Sequence, residues 1–323
     1  MWTRSILLLP LFFTMRVVAS TQAAATPAVI FRAGTHLNST YPCIRIPSAV
    51  TVGNVVLVMA ECRNWAGDQC FVQHHANASR EQEFNRSICQ RRSDDGGRTF
   101  GPIHPNITRH YSANPSSVVI SAQRLLLFFD DTVDGTLYWT GSNDAGLTWD
   151  EHATPLRDNV TGSVIQGVGG PGNSVVRLGN GVLLCSVYRA NRSNATMFRY
   201  VSRSTTSQYN NALTRCTRGL YGELKLVFFF SSLISYAMVL RSTDNGLSWT
   251  NVSPRNAAGE KKFGHLGEPS LAVVTQGHQQ SIVLDSRCPD GRKPYPGPAA
   301  PCDCNCRGVS VSIDAGLTWS TTK

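Results

Sequence analysis

Lysine is almost absent from this chain. Five lysines stand against 25 arginines in 323 residues, with a formal net charge of +9. Charge of either sign is sparse, at 16% of residues. The arginines form no dense run, which argues against a nucleic-acid stripe, because such proteins cluster their cations. An excess of arginine suits the bidentate recognition of carboxylates and phosphates instead, so an acidic small substrate stays open. Long apolar runs are also missing. Residues 226–240 make a stretch of fifteen interrupted by three serines, too short to cross a bilayer. No long segment has a clean helical period. Apolar residues still reach 41%, which excludes a largely disordered chain. The length allows two ordinary domains or one large repeat-built one.

Metal-ligand spacing is missing too. Cys302, Cys304 and Cys306 are separated by single residues, unlike the two-to-four-residue gaps of zinc sites. They read as disulfide cysteines in a proline-rich loop. His74-His75 has no second ligand motif nearby. No metal and no other cofactor is expected.

What is present begins with a leader. Arg4, the apolar stretch 6–13 and the small residues Val18-Ala19-Ser20 read as a signal peptide over residues 1–20. Eight Asn-x-Ser/Thr sequons follow, at Asn38, Asn77, Asn85, Asn106, Asn159, Asn191, Asn194 and Asn251. The expected location is the secretory pathway, extracellular or lysosomal, where ten cysteines imply disulfides of unreadable connectivity.

Internal repeats decide the fold. The pattern Ser-x-Asp-x-Gly-x-Thr/Ser-aromatic occurs at 93–100, 142–149, 242–249 and 312–319. The gap between the second and third copies could hold two units with one degenerate copy. Asp-x-Gly supplies a side chain that bonds nearby backbone N–H groups and a residue tolerant of positive φ. The aromatic then anchors the turn on a core. Short β-type runs surround these turns, at 55–59, 118–120, 125–129, 182–187 and 271–274. Short strands with a recurring turn predict an all-β fold, a six-bladed β-propeller over 28–323. Residues 202–236 fit poorly, with Phe228-Phe229-Phe230 a hazard if exposed. They read as an insertion between strands, or as a translated intron or gene-model error.

The repeats and the residues between them resemble the exo-α-sialidase (neuraminidase) family with its Asp-box repeats. Four motifs carry the resemblance: Arg45-Ile46-Pro47; Ala60-Glu61-Cys62-Arg63 with Asp68 downstream; Gly170-Pro171-Gly172 followed by a strand ending in Tyr188-Arg189; and Glu268-Pro269-Ser270 followed by Asp285-Ser286-Arg287. The resemblance implies a substrate class of terminal α-linked sialic acids on glycoproteins, gangliosides or oligosaccharides, some of them membrane glycolipids. It implies that Arg45 and Arg287, with Arg63 alongside, bind the sugar carboxylate. Asp68 would protonate the glycosidic oxygen and then activate water. Glu268 matches the glutamate that takes the proton of a tyrosine nucleophile. Asn114 would meet the N-acyl or hydroxyl side of the sugar, and Tyr188 its glycerol arm.

The third arginine and the nucleophilic tyrosine of the family lie beyond its last Asp box, and this sequence stops four residues after Trp319. The sequence is therefore expected to lack the last blades. The rival reading is a propeller that binds sialylated glycans without cleaving them.

Overall fold

The computed structural model describes residues 29–32, 41–63, 86–108, 111–132, 135–169, 172, 174–190, 235–254, 263, 266–277, 279–287 and 307–320. The leader, Asp68, the histidine pair, residues 202–234 and the cysteines at 302–306 lie outside them.

No helix occurs among the described residues. The strands form four antiparallel sheets in chain order. The first contains β1 (Cys43–Val52), β2 (Val55–Arg63) and β3 (Arg86–Ser93). The second contains β4 (Ser112–Val119), β5 (Leu125–Asp131), β6 (Leu137–Ser142) and the short β7 (Thr154–Pro155). In the third, β8 (Val168–Gly169) and β9 (Val175–Arg177) both pair with β10 (Leu183–Ala190), which continues to β11 (Ser235–Ser242) and β12 (Thr250–Asn251). The fourth contains β13 (Gly267–Gln276), β14 (Gln279–Arg287) and β15 (Arg307–Ser312). The expected short runs lie in β2, β4, β5, β10 and β13. Among the described residues, the long gap between the second and third repeats holds β7 and one further sheet.

The order of stacking follows from side-chain alternation. In β5, Leu125, Leu127 and Phe129 enter a core with Leu57, Met59 and Ile88 of the first sheet. Leu126 and Phe128 of the same strand enter a second core with Leu183, Val187, Leu240 and Trp249 of the third sheet. The pattern repeats one sheet on, where Leu184, Ala237 and Val239 turn to Leu271, Ile282 and Leu284. Each inner sheet is thus apolar on both faces, and β5 reads as an unbroken apolar run. Each fully buried leucine contributes roughly 1.5–3 kcal/mol.

The four repeated octapeptides are turns leaving the ends of β3, β6, β11 and β15, closed by the same hydrogen bonds. In the third, Ser242 Oγ donates to Asp244 Oδ1 at 2.6 Å and accepts the Gly246 N–H at 2.9 Å. Asp244 Oδ1 then accepts the Ser248 N–H at 3.0 Å, and Oδ2 accepts its hydroxyl at 2.6 Å. The hydroxyl and N–H of Thr99 hold the Asp95 carboxyl well below the usual range. Trp249 is fully buried and meets Phe128 edge-on at 5.6 Å.

A second repeat was not read from the sequence. β1, β4 and β13 each carry a register shift, between Arg45 and Ser48, Ala113 and Ser116, and Gly267 and Ser270. Each shift contains a non-glycine residue of positive φ followed by proline: Ile46 (51°), Asn114 (51°) and Glu268 (46°). Proline has no N–H for the ladder, so a bulge is where it is tolerated. Arg45-Ile46-Pro47 therefore lies inside β1. Serines after the bulges tie neighbouring sheets: Ser48 Oγ donates to Gly172 O at 3.1 Å, and Ser116 Oγ accepts the Val175 N–H at 3.1 Å. A disulfide joins Cys62 of β2 to Cys89 of β3. Cys43 is also disulfide-bonded, while Cys185 is a buried free thiol.

Candidate functional site

The meander places alternate strand ends together. β1, β3, β4, β13 and β15 begin at the end where β2, β5, β10 and β14 finish. Arg45, Glu61, Arg63, Arg86, Asn114, Asp130, Tyr188, Glu268, Asp285, Arg287 and Arg307 all lie at that end. The octapeptide turns lie at the other. Bulges at strand ends re-aim side chains, and two of the candidates, Asn114 and Glu268, are themselves bulge residues of positive φ.

Glu61 is the buried centre of the first two sheets. It is 1% exposed, and Arg63 is 2% exposed. Arg63 Nε and Nη2 both donate to Glu61 Oε2, at 2.9 and 2.5 Å. Residues two apart on a strand share a face, which brings the pair together. Arg86 Nη1 stands 3.6 Å from the same oxygen. Oε1 accepts the backbone N–H of Asn114 at 2.9 Å, across the boundary between sheets. Arg63, expected beside the ligand carboxylate, is thus committed to a buried partner. Removing one member of such a pair leaves an uncompensated charge, at a cost of about 3–5 kcal/mol.

Asp130 is the penultimate residue of the apolar strand β5 and is 2% exposed. Its Oδ1 accepts Asn114 Nδ2–H at 2.9 Å and the Gly169 N–H at 3.2 Å. Burial pushes its carboxyl up to about 7, with the nearby Glu61 charge adding to the effect and the bond from Asn114 opposing it. Tyr188, in the third sheet, is partly buried. Burial, followed by the charges of Asp130, Glu268 and Glu61, pushes its phenol up, while Arg287 acts the other way. Tyr188 therefore feels groups from the other three sheets and stays a neutral hydroxyl.

The fourth sheet is more open. Arg287 Nη1 lies 3.4 Å from Glu268 Oε1, and both side chains are about half exposed. Exposed pairs of this kind contribute about 0–1 kcal/mol, so either partner can be exchanged for a ligand at little cost. Beside them Arg307 pairs bidentately with Asp285, at 2.9 and 3.1 Å. A cavity of about 530 Å³ adjoins this group, lined by Pro47, Ser48, Gly172, Ser270, Leu271 and Asp285 among others. Arg45 sits opposite Glu61 in the β1–β2 ladder.

All the described residues expected at the site occupy one end of the sheets, and Asp68 lies outside the described residues. Asp130, Arg86 and Arg307 were missed. Asp130 is one of two consecutive aspartates at the end of β5, and Arg86 and Arg307 belong to no motif. Among the described residues no group of histidine, cysteine and acidic side chains is placed to hold a metal.

No protein-family model and no curated protein sequence matches the chain. Solved structures do. In fold, the chain is similar to sialidases. A Hadza microbial sialidase superposes with a TM-score of 0.52 at 16% identity over 88% of this chain and 47% of its own. The NanB sialidase of Streptococcus pneumoniae gives 0.55 at 11% identity over 92% of this chain and 53% of its own. The Trypanosoma rangeli sialidase bound to 2,3-difluorosialic acid gives 0.50 at 14%, over 87% of this chain and 38% of its own. The chain thus spans about half, or less, of these proteins, and at such identities the likeness is one of fold.

Proposed function

We propose that this chain is the sialic-acid-recognising part of a sialidase of β-propeller architecture, which hydrolyses terminal α-linked sialic acids. The observation that carries this reading is the gathering of Arg45, Asn114, Tyr188, Glu268 and Arg287 at one end of four sheets. The fold is one that known sialidases share.

Arg45 and Arg287 are the arginines proposed to take the sugar carboxylate. Arg287 would leave its weak pair with Glu268 and bind the ligand through charge-assisted hydrogen bonds. Glu268, so released, becomes free to accept a proton. Asp68 is the proposed general acid. Its proton passes to the glycosidic oxygen as the C2–O bond breaks, and the resulting carboxylate later takes a proton from the attacking water. Tyr188 acts as a neutral hydroxyl toward the ligand.

A second reading, binding without cleavage, is favoured by one observation. Tyr188, the tyrosine whose phenol feels Glu268, lies where the resemblance puts a glycerol-arm contact, so it serves as a binding group and not as the nucleophile. Release of a fluorogenic aglycone from an α-sialoside separates the two. Hydrolysis that is lost on Asp68→Ala while binding persists supports the enzyme. Normal turnover by that variant excludes Asp68 as proton donor. Glycan binding without release by the full-length gene product that carries this chain decides for the second reading.

A further inference from the structure

Asp130 has no role in the chemistry above, yet it is a buried carboxyl at the centre of the candidate site. The amide of Asn114 can face in two ways, offering a ligand either its N–H donors or its carbonyl acceptor. Asp130 Oδ1 accepts Nδ2–H at 2.9 Å, which turns the amine inward. Asn114 Oδ1 is left on the opposite side, and among the described residues it accepts no hydrogen bond. The Asn114 backbone is fixed as well, by Glu61 on β2 and by its position in the β4 bulge.

We propose that Asp130 is a positioning residue that holds the Asn114 amide with its carbonyl toward the ligand, so that this corner of the site selects a hydrogen-bond donor, an N–H or a hydroxyl. The identity of the ligand rests on the sialic-acid reading above. The orientation of the amide does not.

The orientation is linked to protons. Burial pushes the Asp130 carboxyl up to about 7. The titratable groups facing it are Glu61 from β2 and Arg86 from β3, both charged, and Tyr188 from β10, whose phenol stays neutral. A proton on Asp130 Oδ2 leaves Oδ1 free to keep both of its bonds. It weakens the pull on the Asn114 amide and removes one negative charge from the neighbourhood of an anionic ligand. Binding of a carboxylated sugar should therefore tighten as pH falls through 7.

The test follows the Asn114 side-chain amide by 1H–15N NMR from pH 5 to 8.5 without ligand. In the unaltered protein its resonances should move with a midpoint near 7, and in Asp130→Asn they should stay flat. Immobile resonances in the unaltered protein overturn the proposal. In a second arm, sialic acid is titrated into both proteins and into Asp130→Ala. Asp130→Ala should bind roughly fivefold more weakly at pH 6, where the carboxyl is neutral, the scale of one lost neutral hydrogen bond. Asp130→Asn, which keeps an acceptor, should bind with little pH dependence. Equal affinity for Asp130→Ala overturns the proposal. An amide that titrates in a protein that ignores sialic acid supports the positioning role and refutes the ligand.

Discussion

Asn114 donates its backbone N–H to Glu61 Oε1 at 2.9 Å, joining a bulge of the second sheet to the end of the first. The same carboxylate holds Arg63 through Oε2. A single buried glutamate therefore fixes both the Arg63 guanidinium and the proposed ligand contact Asn114.

Glu61→Ala should be severely destabilising. It removes the buried carboxylate that the Arg63 guanidinium and the Asn114 N–H share, at a cost of about 3–5 kcal/mol. Urea unfolding measures this. A loss under 1 kcal/mol would mean that the guanidinium finds water or another partner.

Stability should depend on pH through Asp130. Its folded-state value, about 7, lies above the ordinary 3.8. The folded protein therefore holds a proton that the unfolded chain releases between these values. The contribution is fully present below about pH 4 and is lost as pH rises through 7. Three pKa units set an upper bound of roughly 4 kcal/mol. The octapeptide aspartates act in the opposite sense, and only below the ordinary carboxylate range, so the windows separate. Chemical denaturation at pH 5 and pH 8 should show greater stability at pH 5, with the difference reduced in Asp130→Asn.

Ser242→Ala should cost about 1–3 kcal/mol, because it leaves the buried Gly246 N–H without an acceptor. The denaturation midpoint should fall with an unchanged m-value. A change in m would place the effect in the unfolded state instead.

Gly146→Ala should cost about 2 kcal/mol or more. Gly146 has φ +81°, and an added Cβ would collide with Leu57 Cδ1 in the core between the first two sheets. Thermal unfolding measures the loss.

Much of the fold was legible because its signals are local. The octapeptide closes on its own atoms, and the Val55, Leu125 and Leu183 runs declare their strands by composition. The residues at the site were legible as motifs, but their relations were not. Arg63 reads as a free cation in the sequence. Only its burial against Glu61, two residues back on the same strand, and the cross-sheet bond from Asn114 to that glutamate show it to be committed. Asp130 is adjacent in sequence to Asp131 and indistinguishable from it there. Its character comes from burial among three sheets, which no local pattern encodes. The proline bulges escaped because their flanking residues differ, while what repeats is a backbone shift.

The most direct measurement is calorimetric titration of an α-methyl sialoside into the unaltered protein, Arg45→Ala, Arg287→Ala and, as a control at the far end of the sheets, Arg98→Ala. Binding should weaken at least about tenfold in the first two variants, as for loss of a charge-assisted contact, and should be unchanged in the third. No binding to the unaltered protein, or equal binding to Arg287→Ala, would contradict the assignment of this strand-end cluster as a sialic-acid site.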